Sequence, residues 1–294
     1  MTQTIAVPPE AQLAPLLAGY RQAAGQRRRV VAIGVAVLGV LMALAWAGAE
    51  VDPAKFWSGL PNFGSYFSRL TRLDTGAYAW TDPPYWFWGL RRWSILLGQT
   101  ILIAYVATAT GFALGVVGGV LGSANLVRSA PLRFAVKRGL ELIRTVPDIV
   151  FALVFVVAFG LGPLPGVLAI TLHTGGTLGK LFAEVIENID MNPLEGIAAT
   201  GGSWLSQIRF GVLPQVQSNF ASYALLRFEI NVRGAAVIGF VGAGGIGQDL
   251  LVAIRKFYYS DVSAMLLMIL ACVMVIDWLS ERLRHRLLAM DGHA

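Results

Sequence analysis

Residues 30–49 carry no charge, and neither do residues 94–121. A helix of about 20 apolar residues crosses the hydrocarbon of a bilayer, and inside lipid the backbone must satisfy its own hydrogen bonds. Runs of this kind constrain the chain to an all-α polytopic membrane protein. Four further stretches read as spans: residues 145–161, 165–186, 217–241 and 262–279. The count is then about six transmembrane helices. Composition agrees, because 56% hydrophobic and 14% charged residues fall outside the usual globular range.

Basic residues set the topology. Arg21 and the run Arg27, Arg28 and Arg29 precede the first span, and five Lys/Arg lie in 122–144. The N-terminal tail, the loops at 122–144 and 187–216 and the segment 280–294 after the last span carry thirteen Lys/Arg, against seven in 50–93 and 242–261. The positive-inside rule therefore places both termini in the cytoplasm of a multi-pass plasma (inner) membrane protein. The expected organisation is a tail at 1–29, a first transmembrane helix at 30–49 and an external loop at 50–93. A core domain follows at 94–285, including the polar loop 187–216, and then a tail at 286–294. A cleaved leader is the rival reading of the N-terminus, because Ala47, Gly48 and Ala49 resemble a cleavage site. The external loop is rich in Trp, Tyr and Phe, including the run from Tyr85 to Trp88. That suits an interfacial helix against membrane lipid, or a surface for an external partner.

Several chemistries are excluded. Cys272 is alone, so no intrachain disulfide forms, and His173, His285 and His293 are scattered, so no metal site is expected. Aromatic residues do not interleave with a basic groove, which argues against nucleic acid. The glycine-rich run from Gly239 to Gly247 lacks the Gly-Lys-Ser/Thr ending of a phosphate loop and reads as a tight reversal of backbone against backbone. With no ATP-hydrolysis motif, no catalytic residue and no cofactor of its own, the chain is not an enzyme. If it pumps uphill, another subunit supplies the energy.

Within the spans, Ala107, Gly111, Gly115 and Gly119 share one helix face and invite close approach of another helix. Lys180 and Glu184 are four apart and can pair. Glu229 and Arg233 have the same spacing and read as a structural ion pair. Tyr223, Arg227 and Asn231 lie on a different face, where Arg227 has no acidic partner in sequence. A guanidinium without a carboxylate suits an anion with several oxygens. Arg227, Tyr223, Asn231 and His173 are therefore the candidate substrate path, with packing at a subunit interface as the other reading of Arg227.

The polar stretch from Glu195 to Pro214 resembles the cytoplasmic "EAA" loop of ABC importer permeases. Glu195, Gly201, Leu213 and Pro214 match in spacing, whereas Gly196 and Ile197 replace the two alanines. With Gly211–Val216, the pattern Phe228-Glu229, Asn231, Arg233 and the run Gly239–Gly247, residues 90–285 are similar to phosphonate-type ABC importer permeases. The resemblance implies a type I importer permease fold with a cytoplasmic coupling helix, and a homodimer of this chain forming the pathway. It implies a cytoplasmic ATP-binding subunit that carries ATP and Mg, and an external solute-binding protein. It implies that Glu195, Gly196, Ala199, Gly201, Gly202, Leu213 and Pro214 couple to the ATPase. The expected function is import of phosphonate or a related phosphorus oxyanion. The alternatives are phosphate, phosphite or another small anion, then an ion-coupled secondary transporter.

Overall fold

The computed structural model describes residues 10–49 and 52–291. Among them it is helical, with no strand beyond a single bridge between Arg72 and Tyr78. The chain divides into two units, Met1–Ser65 and Tyr66–Ala294.

The first unit is dominated by α1 (Glu10–Gly48). Residues 10–29, expected as a tail, are its first half, because Ala, Leu, Gln and Arg favour helix and the run of three arginines does not interrupt it. Helix α2 (Pro53–Leu70) is amphipathic and has no buried residue; the Asp52 carboxylate accepts the Ala54 N–H at 2.9 Å at its start.

The second unit holds α3 (Pro83–Trp86), α4 (Leu90–Gly122), α5 (Ala130–Thr145), α6 (Asp148–Phe159) and α7 (Pro163–Glu187). The short α8 (Asn192–Ala199) and α9 (Trp204–Ser206) follow, then α10 (Leu213–Ile238), α11 (Ile246–Arg255) and α12 (Tyr259–Asp291). Among the described residues, Ala18–Gly48, Leu90–Gly122 and Tyr259–Arg286 are each long and apolar enough to cross a membrane. Two bent pairs raise the number to five: α5 with α6 at 87°, and Trp204–Val241 with α11 at 48°. Helix α7 adds 25 residues, about 37 Å at 1.5 Å per residue, which also matches a bilayer.

The small face of α4 packs on α7. A Cβ at Gly115 would lie 2.7 Å from the Leu178 Cβ, and one at Gly119 would lie 2.6 Å from the Phe182 Cβ. The four-residue spacing of the glycines is thus the register of that helix pair. Phe182 then stacks on Phe220 of α10 at 3.8 Å, which closes a core with Leu178, Ile186 and Val216.

The third span differs from its expected form. Residues 145–161 contain only the 12-residue α6, about 18 Å of helix. The preceding basic segment, expected as a cytoplasmic loop, is α5, which packs along α7 through Leu140 over Gly176 and Gly179. Its basic outer face hid this from a hydropathy reading. Pro147 separates the two helices, because proline disfavours α geometry in the residue before it and lacks an N–H to continue the ladder.

At the opposite end from the polar hairpin, the aromatic run is fastened to the start of α12. The Trp86 indole donates to the Ser260 carbonyl at 3.2 Å and to the Ser263 hydroxyl at 3.0 Å; that of Trp88 donates to Asp261 at 2.9 Å. In the glycine-rich reversal, a Cβ at Gly239 would stand 2.8 Å from the Gly244 carbonyl oxygen, which is the backbone-on-backbone approach the sequence suggests.

Candidate functional site

Two assemblies stand out, a hairpin at one end of the bundle and a charged break midway along it.

The hairpin starts with α8. Pro193 lies in its first turn, where no intrahelical N–H partner is needed, and Glu195 lies close enough to the N-terminus to favour the helix dipole. Gly201 adopts φ +80° and donates to the Ala198 carbonyl at 3.0 Å, while Gly202 donates to Ile197 at 3.0 Å. That pair of bonds is a Schellman motif, which ends the helix and reverses the chain. Ser203 then caps α9, and residues Gln207–Val212 form a π-helical stretch before Pro214 in the first turn of α10. Leu194 is buried against Gly211, with Ile197 beside it. This explains the departure at Ile197, whose side chain packs inward. Glu195, Gly196 and Ala199 face outward, as do Trp204, Leu205, Phe210 and Leu213.

The hairpin is tied to its surroundings. Gln215 and Asp190 exchange two bonds, from the Asp190 N–H at 3.0 Å and to the Asp190 carbonyl at 3.1 Å. The Trp204 indole donates to the Leu126 carbonyl in the α4–α5 loop at 3.2 Å. That loop is pinned to α7: Asn125 donates to the Ile186 carbonyl at 2.6 Å, and Glu187 accepts from the Ala124 N–H and from Lys137, each at 2.8 Å. Burial pushes the Glu187 carboxyl up. The bonds from Lys137 and Ala124, with the charges of Lys137 and Arg133, outweigh it and hold the group below the ordinary carboxylate value.

The charged break lies where α5 turns into α6. An Nη2–H of Arg227 reaches Nδ1 of His173 at 3.0 Å, midway along α10 and α7. Arg144, in the last turn of α5, lies within electrostatic reach of the His173 ring. Helix ends leave carbonyls without partners, and non-helical backbone at membrane depth persists only where other groups satisfy it. Asp148 lies within electrostatic reach of both Arg227 and His173, without an ion pair to either. Arg227 Nε is buried and has no partner. Arg144 and Pro147 are exposed, so the break opens on an outer face of the chain.

The other candidates sort differently. Asn231 is buried, and its amide bonds Thr108 at 2.8 Å and Thr174 at 3.0 Å, which fastens α10 to α4 and α7. Tyr223 instead lines a cavity of about 460 Å³ toward the hairpin end, with Glu184, Asp190 and Asn219. Glu229 and Arg233 pair at 2.7 Å, and Arg233 also reaches Asp277 of α12 at 3.7 Å. Sequence reasoning missed Asp148, Asp277 and the Trp204–Leu126 bond. The signal for the first was present: Pro147 inside an apolar run, with Arg144 before it and Asp148 after it.

Apolar helices of spanning length around a charged break, with a polar hairpin at one end, define a membrane permease. The chain belongs to the family described as binding-protein-dependent transport system inner membrane component, which matches residues 111–289. Over 249 residues it is 36% identical to the phosphite transport system permease protein PtxC of Stutzerimonas stutzeri, covering 84% of this chain and 86% of that one. Over 117 residues it is 50% identical to the putative cryptic phosphonate transport system permease protein PhnE2 of Escherichia coli, covering 40% of this chain and 96% of the other. Among solved structures it matches the inward-facing MetNI methionine ABC transporter with a TM-score of 0.58 and 21% identity, covering 68% of this chain and 97% of that one. The fold is that of the type I ABC importer permeases.

Proposed function

We propose that this chain is the transmembrane subunit of an ATP-driven importer for a phosphorus oxyanion, of which phosphonate, phosphite and phosphate are the candidates. The 36% identity to a phosphite permease, across most of both chains, carries this reading. Two copies form the pathway by alternating access. The exposed break supports this, because charges at membrane depth face a wet cavity or another helix rather than lipid. Arg227 and His173 line the path at depth, and Tyr223 lies nearer its cytoplasmic mouth. Asn231 acts as the fastener behind Arg227.

The hairpin seats in a cytoplasmic ATPase, which holds ATP and Mg. Its exposed Trp204, Leu205, Phe210 and Leu213 support a covered surface, and Glu195, Gly196 and Ala199 lie on the outward face of α8. Gly201 and Gly202 set the reversal, and Pro214 sets the return into α10. An external solute-binding protein delivers the anion, and both termini lie in the cytoplasm, a reading that the distribution of basic residues supports.

The test is co-purification from a tagged copy, followed by ATPase assay in lipid. Recovery of an ATP-binding subunit and a binding protein, with ATPase stimulated by the phosphonate-loaded binding protein, is the expected result. Recovery of this chain alone, with no ATPase activity, would overturn it and direct attention to ion-coupled transport.

A further inference from the structure

We infer that the break between α5 and α6 receives a tetrahedral oxyanion that still carries a proton, and that Asp148 is the residue that requires it. This rests on the reading of Arg227 as part of the path. Arg227 of α10 bonds His173 of α7, and Arg144 of α5 and Asp148 of α6 lie within electrostatic reach of that ring.

The donors are incompletely used. Arg227 gives Nη2 to His173, and its Nε has no partner. Arg144 is exposed and makes no ion pair among the described residues. Both guanidinium groups suit oxygen atoms of an anion.

The acceptor is also half free. Oδ1 of Asp148 accepts its neighbour's N–H, from Ile149 at 2.9 Å. Oδ2 makes no hydrogen bond among the described residues and lies beside Gly234, 3.4 Å from where a Cβ would stand. Gly234 is seven residues beyond Arg227, two turns along the same face of α10. Glycine leaves Oδ2 of Asp148 uncovered on the face of α10 that carries Arg227 two turns earlier.

A carboxylate beside an anion path is a filter. An oxyanion with bare oxygens meets like-charge repulsion, strengthened by the weak screening of a membrane interior. An oxyanion with one hydroxyl donates it to Oδ2, and repulsion becomes a charge-assisted hydrogen bond. Phosphate-type acids lose their second proton near neutrality, at about 6 for a phosphomonoester, so protonated forms are accessible at pH 7. Sulfate has no proton to offer there. The selectivity is therefore for phosphorus oxyanions over sulfate, within the permease itself.

The test uses the intact transporter in nanodiscs, with Cys272→Ser and the exposed Val150→Cys as a reporter two residues from Asp148. Thiol labelling is followed with methylphosphonate or sulfate at matched ionic strength. Methylphosphonate is expected to slow labelling at a concentration at least tenfold below that needed for sulfate. Asp148→Asn should collapse that difference by admitting sulfate, while keeping a side-chain oxygen that can accept the Ile149 N–H. Arg227→Gln should abolish protection by both anions. An unchanged preference in Asp148→Asn, or equal protection by both anions without it, overturns the proton requirement and leaves the path reading standing. Protection that survives Arg227→Gln, or no protection in the unaltered site, overturns the path reading too.

Discussion

Arg227 bonds His173 at 3.0 Å, which links the middle of α10 to the middle of α7. One imidazole thus holds a cation of α10 against α7. His173→Ala strands that guanidinium N–H. The expected cost is about 1–3 kcal/mol of stability, the range for an unsatisfied buried polar group. Thermal unfolding of the purified transporter checks it. Arg227→Gln should instead leave assembly intact and lower transport by about 10- to 100-fold, the equivalent of one lost charge-assisted bond. If Arg227→Gln fails to dimerise, Arg227 is a packing residue.

Trp204 connects the hairpin to the α4–α5 loop through a single N–H to the Leu126 carbonyl. Trp204→Phe keeps an aromatic ring and removes only that donor. A neutral hydrogen bond is worth about 1 kcal/mol net, so a several-fold loss of substrate-stimulated ATPase is expected with unchanged recovery of the ATPase subunit. Unchanged stimulation would show that force does not pass from the hairpin through this loop.

Much of this was legible in the sequence. The glycine ladder of α4 announced a close helix partner, and Gly201 and Gly202 announced the reversal after α8. The identity of the partner, α7, was not legible, since four-residue spacing defines a face and not what covers it. The form of the span at 145–161, a short α6 bent against α5, was not legible because α5 has a basic outer face and an apolar inner one, which average to a loop on a hydropathy scale. Tyr223, Arg227 and Asn231 share a spacing but not an environment. Asn231 looks inward to Thr108 and Thr174, while Tyr223 opens on a cavity. A helical wheel places residues by angle, and only packing shows which angles neighbouring helices fill.

The α4–α7 contact makes a sharp comparison. Gly115→Ala would place a methyl group 2.7 Å from the Leu178 Cβ, where backbone rather than a flexible side chain must yield. Overpacking of this kind costs about 1–3 kcal/mol. Gly98→Ala, in the same helix with nothing within 4 Å, should be neutral or stabilising by up to about 1 kcal/mol. Thermal unfolding of the two variants side by side tests the register. Equal effects would mean that the glycine face does not meet α7 at this position.

Glu187 gives the chain a predictable response to acid at the hairpin end. Its carboxyl is held below the ordinary value, about 4.3 for glutamate, by Lys137 and the Ala124 N–H. A depressed folded-state value means that its contribution is fully present above the unfolded value. It is lost as pH falls through the folded one. The pair is partly exposed, so its contribution is at most about 1 kcal/mol. Glu187→Gln should therefore be slightly less stable than the parent at pH 7, and the gap should close as pH is lowered from about 5 through the carboxylate range. Thermal unfolding of both proteins across that range reads it directly. A gap that persists at the acid end would mean that Glu187 holds the α4–α5 loop by shape rather than by charge.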